Sequence, residues 1–257
     1  MGVAAHPPVR LKRAAGLCRA LAACLIGAAA VAAPLRAQEI PDPLEPVNRA
    51  IFGFNMAADE WVLEPVARGY RFVTPEGVRR SVANFLRNLR SPVVFANDLL
   101  QGERDRAGVT LGRFMINSTL GVFGLFDAAN AFGYPPHHED LGQTFGVWGV
   151  PSGPYLMLPL LGPSSARDAT GRVGDWLINP LNHCCIDMDE RLAIFGTDSV
   201  SEREANIEVI EDLRANSLDF YAAVRTIYTQ SREAAIRNGA PAGDQDSYDE
   251  IFQDEDE

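Results

Sequence analysis

The chain has 257 residues, 47% of them hydrophobic and 22% charged, enough apolar material for one core and too much for a wholly disordered polymer. Five of the 23 basic residues (Arg10, Lys12, Arg13, Arg19, Arg36) precede residue 38 and every acidic residue follows residue 37, so beyond that point 18 basic residues face 34 acidic ones, a formal −16. A field of that sign excludes nucleic acid held by a broad cationic face.

Residues 1 to 37 join the charges of Arg10, Lys12 and Arg13 to a small apolar stretch, Ala20 to Ala33, and an exit segment, Pro34-Leu35-Arg36-Ala37. That is the form of a secretory signal peptide, of the kind used in bacterial export. Two maturation routes fit it. Leu35-Arg36-Ala37 before Gln38 suits ordinary cleavage, whereas Leu21-Ala22-Ala23-Cys24 suits acylation of a new N-terminal cysteine. Plain cleavage is favoured, because Arg19 interrupts the apolar segment ahead of Cys24 and the better run continues to Ala33. Under that route the cysteines left are Cys184 and Cys185, neighbours whose direct disulfide is strained, so two buried thiols are expected. No later apolar run approaches 18 residues, which excludes a membrane-spanning helix from the mature chain.

From Val47 the residues Val47, Ile51, Phe54, Ala58 and Val62 recur at three- and four-residue steps and predict a helix of about four turns. A second run carries Val78, Val82, Phe85, Leu86 and Leu89 on one side and Arg79, Arg80, Arg87 and Arg90 on the rest. Ser91-Pro92 is expected to end it and to open another helix, Val93 to Leu100, which stops at Gln101-Gly102. Arg104 to Ile116 predicts a further helix with Ala107, Leu111, Phe114 and Met115 inward. Ser165-Ala166-Arg167-Asp168 has the spacing of a capping box before a helix with Ala169, Val173, Trp176 and Leu177 on one face. Ser201-Glu202-Arg203-Glu204 repeats that spacing before a helical region to about Ile236, broken near Asn216-Ser217.

Between these helices, residues 141 to 163 are apolar, aromatic and rich in Gly and Pro, and support neither a long helix nor a central strand. With Leu120 to Phe126 they make a large apolar surface on irregular backbone. Either the helices bury it or it meets something apolar. From Gly239 the chain becomes Pro/Gly-rich and then acidic, with eight carboxylates in the last fourteen residues, which reads as a solvated extension. The expected partition is a signal peptide over 1–37, one domain over 38–238 and an acidic tail over 239–257.

Signs of chemistry are few. No G-x-S-x-G elbow occurs, and Gly149-Val150-Pro151-Ser152-Gly153 has the wrong spacing. His137-His138-Glu139-Asp140 and His183-Cys184-Cys185 contain zinc-type ligands, but adjacent residues rarely turn two side chains to one ion, so loop and core roles are favoured over a metal site. No enzyme, metal or cofactor is expected. Every basic residue after position 37 is arginine. A guanidinium fork suits phosphate oxygens, so an Arg-bearing helix such as Val78 to Arg90 is a candidate for phospholipid headgroups; ordinary solvated helix faces are the favoured alternative.

The blocks Asp42-Pro43-Leu44-Glu45-Pro46-Val47-Asn48-Arg49, Phe52-Gly53-Phe54-Asn55, Arg113-Phe114-Met115-Ile116-Asn117-Ser118-Thr119, Leu141-Gly142-Gln143-Thr144-Phe145-Gly146 and Arg167-Asp168 resemble, in order, the MlaA (VacJ) family of outer-membrane phospholipid-transport proteins. Shorter likenesses run through Asn84 to Leu89, Leu99 to Gly102, Trp148-Gly149-Val150, Gly153-Pro154-Tyr155 and Ser217 to Tyr221. The resemblance implies an all-α fold, a ring-like assembly of amphipathic helices with a Gly/Pro-rich irregular segment, lying in one leaflet of the outer membrane on its periplasmic side. It implies a non-catalytic role: removing misplaced phospholipid from the outer leaflet and passing it to a soluble periplasmic carrier of the MlaC type, with a porin as membrane partner. Phe145, Trp148, Gly149, Gly153 and Tyr155 are the candidates for channel lining or membrane contact, Cys24 the candidate for lipidation. The aromatics have a core role as the alternative.

Overall fold

The computed structural model describes residues 42–184 and 187–239. The export segment with Cys24, the side chains of Cys184 and Cys185, and the acidic tail lie outside the described residues.

The chain enters through a turn at Asp42 and Pro43 into α1 (Glu45–Ala58). A π-helical turn, Asp59–Leu63, joins it without a break to α2 (Glu64–Val73). In a π turn, residues five apart stack along the axis. Asp59 and Glu64 are such a pair, and both reach the guanidinium of Arg203, at 2.7 and 3.0 Å, which gives the turn a physical reason.

After Thr74-Pro75 comes α3 (Glu76–Gln101), ended by left-handed Gly102. The expected division at Ser91-Pro92 is absent: Pro92 sits inside one 26-residue helix. An interior proline costs about 3 kcal/mol through its missing N–H and ring clash. Packing on both sides of it overrides that cost, since Leu86, Asn88, Val94, Asn97 and Asp98 of the same helix are all buried. Next are α4 (Arg104–Thr119), the short α5 (Ala128–Ala131) and α6 (Leu141–Val147).

The Gly/Pro-rich segment then forms an antiparallel hairpin, β1 (Tyr155–Leu158) on β2 (Gly162–Ser165), paired from Tyr155↔Ser165 to Leu158↔Gly162. The helix α7 (Ala166–Ile178) follows, and the Ser165 hydroxyl caps it by accepting the Asp168 N–H, as the box spacing predicts. Beyond it are α8 (Leu181–Cys184), α9 (Met188–Ala205), α10 (Ile207–Asn216) and α11 (Phe220–Ile236). The second expected box is corrected. Ser201–Glu204 lies inside α9, and the reciprocal box that opens this helix is Asp187 with Glu190. The break near Asn216-Ser217 and the end at Ile236 are found.

One clamp holds the hairpin. Asn48 and Asn55 stand seven residues apart, two turns along one face of α1. Asn48 donates to the Tyr155 carbonyl at 3.0 Å and accepts the Met157 N–H at 2.9 Å; Asn55 donates to the Leu158 carbonyl at 2.9 Å and accepts the Leu160 N–H at 2.8 Å. Two amides thus do for the free edge of β1 what another strand would do. Asp42 accepts from Asn48 at 2.8 Å and from Arg225 at 3.2 Å, tying the entry turn to α11. Over this frame Tyr155, Met157 and Tyr221 form a small aromatic core with Phe52 and Tyr228, rings edge to face. Asn48→Ala leaves a buried N–H and a buried carbonyl unpaired. It is expected to destabilise the domain by about 2–4 kcal/mol, read as a lowered midpoint in detergent-solubilised unfolding.

On α4 the expected inward facing holds for Ala107 and fails for the larger apolar residues. Leu111, Phe114 and Met115 are exposed on α4, whose buried residues are Ala107, Thr110, Arg113 and Asn117. Val173, Trp176 and Leu177 are exposed on α7, and Val47, Phe54 and Val62 on the first helical run. Among the described residues sixteen polar or charged side chains are buried against nine hydrophobic ones, while 35 large hydrophobic side chains are exposed, among them Phe72 at 90% and Trp61 at 80%. Soluble monomers bury the opposite set. The surface expected of Leu120 to Phe126 and residues 141–163 also remains open in large part, through Leu120, Phe123, Phe126, Trp148, Leu160 and Leu161.

Candidate functional site

The buried polar groups are held in chains of charge-assisted hydrogen bonds. Arg232 of α11 grips Asp140 with two nitrogens, at 2.6 and 2.8 Å, and Asp168 at 3.0 Å. Asp140 is the N-cap of α6 and Asp168 lies in the first turn of α7, so one guanidinium joins three helices. Burial pushes the Asp140 carboxyl up, but the Arg232 hydrogen bonds and charge outweigh it and hold the group at about 2. Between α6 and α7 the backbones touch. A Cβ on Gly171 would lie 2.3 Å from the Gly142 nitrogen, and one on Gly142 would lie 2.7 Å from the Asp168 carboxylate. Gln143 and Arg167 complete the junction through the His138 carbonyl and Asp168.

A second set joins α9 to the α2–α3 arm. Besides Arg203, Glu204 accepts from Arg71 at 2.7 Å and pairs with Arg79 at 3.1 Å. A third fixes α5: Asp127 takes Arg113 at 2.8 and 2.9 Å and Asn117 at 3.1 Å, while Asn117 accepts the Ala129 N–H.

Two of the cavities among the described residues lie beside these ties. The first, about 740 Å³, is lined by the arginine side of α3 (Arg79, Arg80, Arg87, Arg90) with Arg113, and opposite them by Asp198, Glu202 and Glu204 of α9. The second, about 810 Å³, brings large apolar side chains, Leu89, Leu160, Leu161, Trp176, Met188, Leu192 and Phe195, together with charged ones, among them Arg172, Asp175 and Arg232. Both share Leu86, Arg90, Val94, His138, Asp198 and Glu202. Leu86, Arg90 and Val94 are four residues apart on α3, as are Asp198 and Glu202 on α9, so the cavities meet at one seam between two helices. Arg90 bridges that seam to Asp198 and, at 3.2 Å, to Glu202. Burial pushes the Asp198 carboxyl upward against the pull of Arg90, with Glu202 adding to the rise. A pair of cavities that is ionic on one side and apolar on the other suits a molecule with a charged head and hydrocarbon chains.

The first cavity also reaches His137 and Thr110, where a hydroxyl lies beside an imidazole. Thr110 Oγ1 lies 3.0 Å from His137 Nε2, and the fully buried Asp98 lies 3.1 Å from that same nitrogen. A catalytic triad needs the carboxylate on the other ring nitrogen, orienting the base. Here one nitrogen meets both partners, and Thr110 itself donates to Asp98 at 2.5 Å. The arrangement is that of a satisfied polar core.

None of the five aromatic and glycine candidates lines either cavity. Trp148 is exposed on the outer surface with its indole N–H on the Leu100 carbonyl, and Phe145 stacks beside it at 5.9 Å, half-buried. Tyr155 is core, 3% exposed, and burial lifts its hydroxyl to about 12. Gly149 has φ +83° and closes α6, with its N–H on the Gly146 carbonyl and the Val150 N–H on that of Phe145, a Schellman end. The helix end accounts for its positive φ. Gly149→Ala is expected to cost about 1–2 kcal/mol of stability and to lower abundance in step with function. Gly153 likewise has positive φ, with Ala166 3.1 Å from where its Cβ would stand. The arginine stripe of α3 was the legible signal; the carboxylates of α9 carried none, because their spacing reads equally as a solvated helix.

The family-motif positions are mostly structural. Asn48 and Asn55 clamp the hairpin, Phe52 is core, and Arg49 pairs with Asp219 at 2.5 Å while lying over the Tyr221 ring at 4.4 Å. Asp42 and Pro43 form the entry turn, and Asn117, Gly142, Gln143, Arg167 and Asp168 sit in the junctions above.

The MlaA lipoprotein family model matches residues 40–235 of the chain. An uncharacterized protein of Rickettsia felis is 35% identical over 200 residues, 77% of this chain and 79% of that protein. The intermembrane phospholipid transport system lipoproteins MlaA of Haemophilus influenzae and Escherichia coli K12 are 31% and 32% identical, each over 77% of this chain, covering 80% and 79% of their own lengths. A chain solved in work on the structural basis for maintenance of bacterial outer membrane lipid asymmetry superposes with a TM-score of 0.69 at 32% identity, over 76% of this chain and 99% of that one.

Proposed function

The chain belongs to the MlaA lipoprotein family, and from that premise we propose that it is the outer-membrane component of intermembrane phospholipid transport, taking misplaced phospholipid out of the outer leaflet to maintain lipid asymmetry. The observation that carries the reading is the inverted burial: ion-paired polar groups inside, apolar side chains outside, and cavities ionic on one wall and apolar on the other. No helix among the described residues is long and apolar enough to cross a bilayer. A protein with this surface is stabilised by lying in hydrocarbon at the depth of one leaflet, where its exposed apolar residues replace no water contacts. On this reading it lies on the periplasmic side of the outer membrane and delivers lipid to a soluble carrier of the MlaC type. A porin beside it supports its outer surface.

The lipid enters the apolar cavity by its chains and passes its headgroup along the arginine wall. Trp148, with an apolar body and a polar N–H, suits the boundary between hydrocarbon and headgroups. Deleting the gene is expected to raise phospholipid in the outer leaflet and detergent sensitivity, both restored by the wild-type chain. Unchanged asymmetry would leave a purely structural envelope role. Restoration lost in Thr110→Val or His137→Gln at normal abundance, with lipid turnover in vitro, would turn the reading to a lipid-modifying enzyme.

A further inference from the structure

Where the two cavities meet, the charges do not balance. Arg90 faces two carboxylates, Asp198 and Glu202, so one guanidinium is shared between two negative groups in a partly buried seam. On the first-cavity side Arg80 and Arg87 are exposed. Arg80 is tied to the exposed Glu76, and Arg87 reaches Asn84 at 3.3 Å and Asp127 at 3.8 Å. An exposed pair such as Arg80–Glu76, or one as long as Arg87–Asp127, holds a guanidinium weakly and is readily exchanged for a phosphate, which offers two oxygens to the fork.

We propose that the seam of Arg90, Asp198 and Glu202 is a headgroup filter that favours zwitterionic phospholipids carrying a primary ammonium, the phosphatidylethanolamine class. The proposal rests on the phospholipid reading above. A headgroup in the seam displaces the Arg90 pairing: its phosphate takes the guanidinium, with Arg87 behind it, and its ammonium takes Asp198 and Glu202. Phosphate and ammonium are two methylenes apart in this headgroup, as guanidinium and carboxylates are adjacent in the seam. A zwitterion leaves the net charge of the seam unchanged, one phosphate and two carboxylates against one guanidinium and one ammonium, with Arg87 or Arg80 near enough to supply the remaining positive charge. A phosphatidylglycerol headgroup brings a phosphate to the same two carboxylates with nothing to neutralise them. A trimethylammonium group brings the charge but no N–H, leaving the inward Asp198 without a donor.

The test is native mass spectrometry of the full chain in detergent, incubated with an equimolar mixture of phosphatidylethanolamine and phosphatidylglycerol of identical acyl chains. The wild type is expected to retain the ethanolamine lipid with an enrichment of about tenfold, the scale of one charge-assisted hydrogen-bonded pair. Glu202→Gln, which keeps the side chain's shape, and Asp198→Asn should bring the ratio to near one by raising the phosphatidylglycerol share, whereas Arg90→Gln should lower retention of both. Substituting phosphatidylcholine for phosphatidylethanolamine should reduce the wild-type preference severalfold. A wild-type ratio near one, or an enrichment that survives both carboxylate substitutions, overturns the filter while leaving the phospholipid reading in place. If neither lipid is retained by any form of the protein, that reading falls and the filter with it.

Discussion

Replacing Arg232 with methionine should remove about 3–5 kcal/mol of stability, enough to abolish accumulation of the protein in the membrane. The side chain is 17% exposed and is shared by Asp140 and Asp168, which are 22% and 4% exposed. Methionine fills much of the volume but leaves two inward carboxylates facing each other without their common cation. The Schellman-ended helix α6 and the helix α7 would both lose their attachment to α11, and with them the Gly142–Gly171 contact that lets the two backbones touch.

The same network sets the response to acid. The Asp140 carboxyl is held at about 2, below its ordinary 3.8, so its contribution is complete above about pH 4 and is lost as the pH falls toward 2. Asp168 is lowered as well, against its burial, by the Tyr228 hydroxyl and Arg232. In a milder variant that keeps the fold, Arg232→Lys, a point charge replaces the two-nitrogen grip and the acid transition should begin at higher pH. An acid limb identical to the wild type's would show that Arg232 does not govern it.

The second large effect concerns the outside. Trp61 and Phe72 are 80% and 90% exposed and make no interior contact worth preserving in water. Changing both to glutamate should leave the folded core intact while reducing partition of the mature, unacylated chain into neutral phosphatidylcholine vesicles. Each large aromatic withdrawn from hydrocarbon forfeits about 1.5–3 kcal/mol, roughly tenfold to hundredfold in partition per residue. High salt should not release the wild type, because a chain carrying −16 beyond residue 37 is held to a neutral bilayer by apolar contact. Flotation of the double variant at wild-type yield would mean that this face does not meet lipid.

Much of the architecture was legible, and the misreadings have definite causes. Helices announced themselves by three- and four-residue apolar steps, and those steps located α1, α4 and α7, while α3 was read as two helices. The direction in which the steps point was not legible, because an apolar stripe states only that a face avoids water. On Leu111, Phe114 and Met115, as on Val173, Trp176 and Leu177, that face turns outward while Thr110, Arg113, Asn117 and Asp168 turn in. Pro92 misled because local propensity is a weak preference that tertiary packing along a long helix overrides. Ser201–Glu204 misled because the box spacing recurs inside helices; Asp187 and Glu190 had the same spacing at a true helix start. The hairpin was hidden by its shortness, yet Asn48 and Asn55, two turns apart and both ready to donate and accept, are the mark of a helix that serves as a strand's neighbour. The arginines of Val78 to Arg90, for which solvated helix faces were the favoured reading, line the first cavity, while Asp198 and Glu202, which answer them from a helix more than a hundred residues away, become meaningful only when the fold brings α9 against α3.

The account turns on lipid entering the cavities as well as surrounding the protein, and site-specific photocrosslinking in cells labelled with radioactive phosphate tests that directly. A photoreactive residue at Leu89, half-buried in the apolar cavity, should capture phospholipid, as should one at Phe72 on the outer face, whereas one at the exposed Glu233 of α11 should not. Capture at Phe72 with none at Leu89 would contradict the account, leaving a protein that sits in lipid without carrying it.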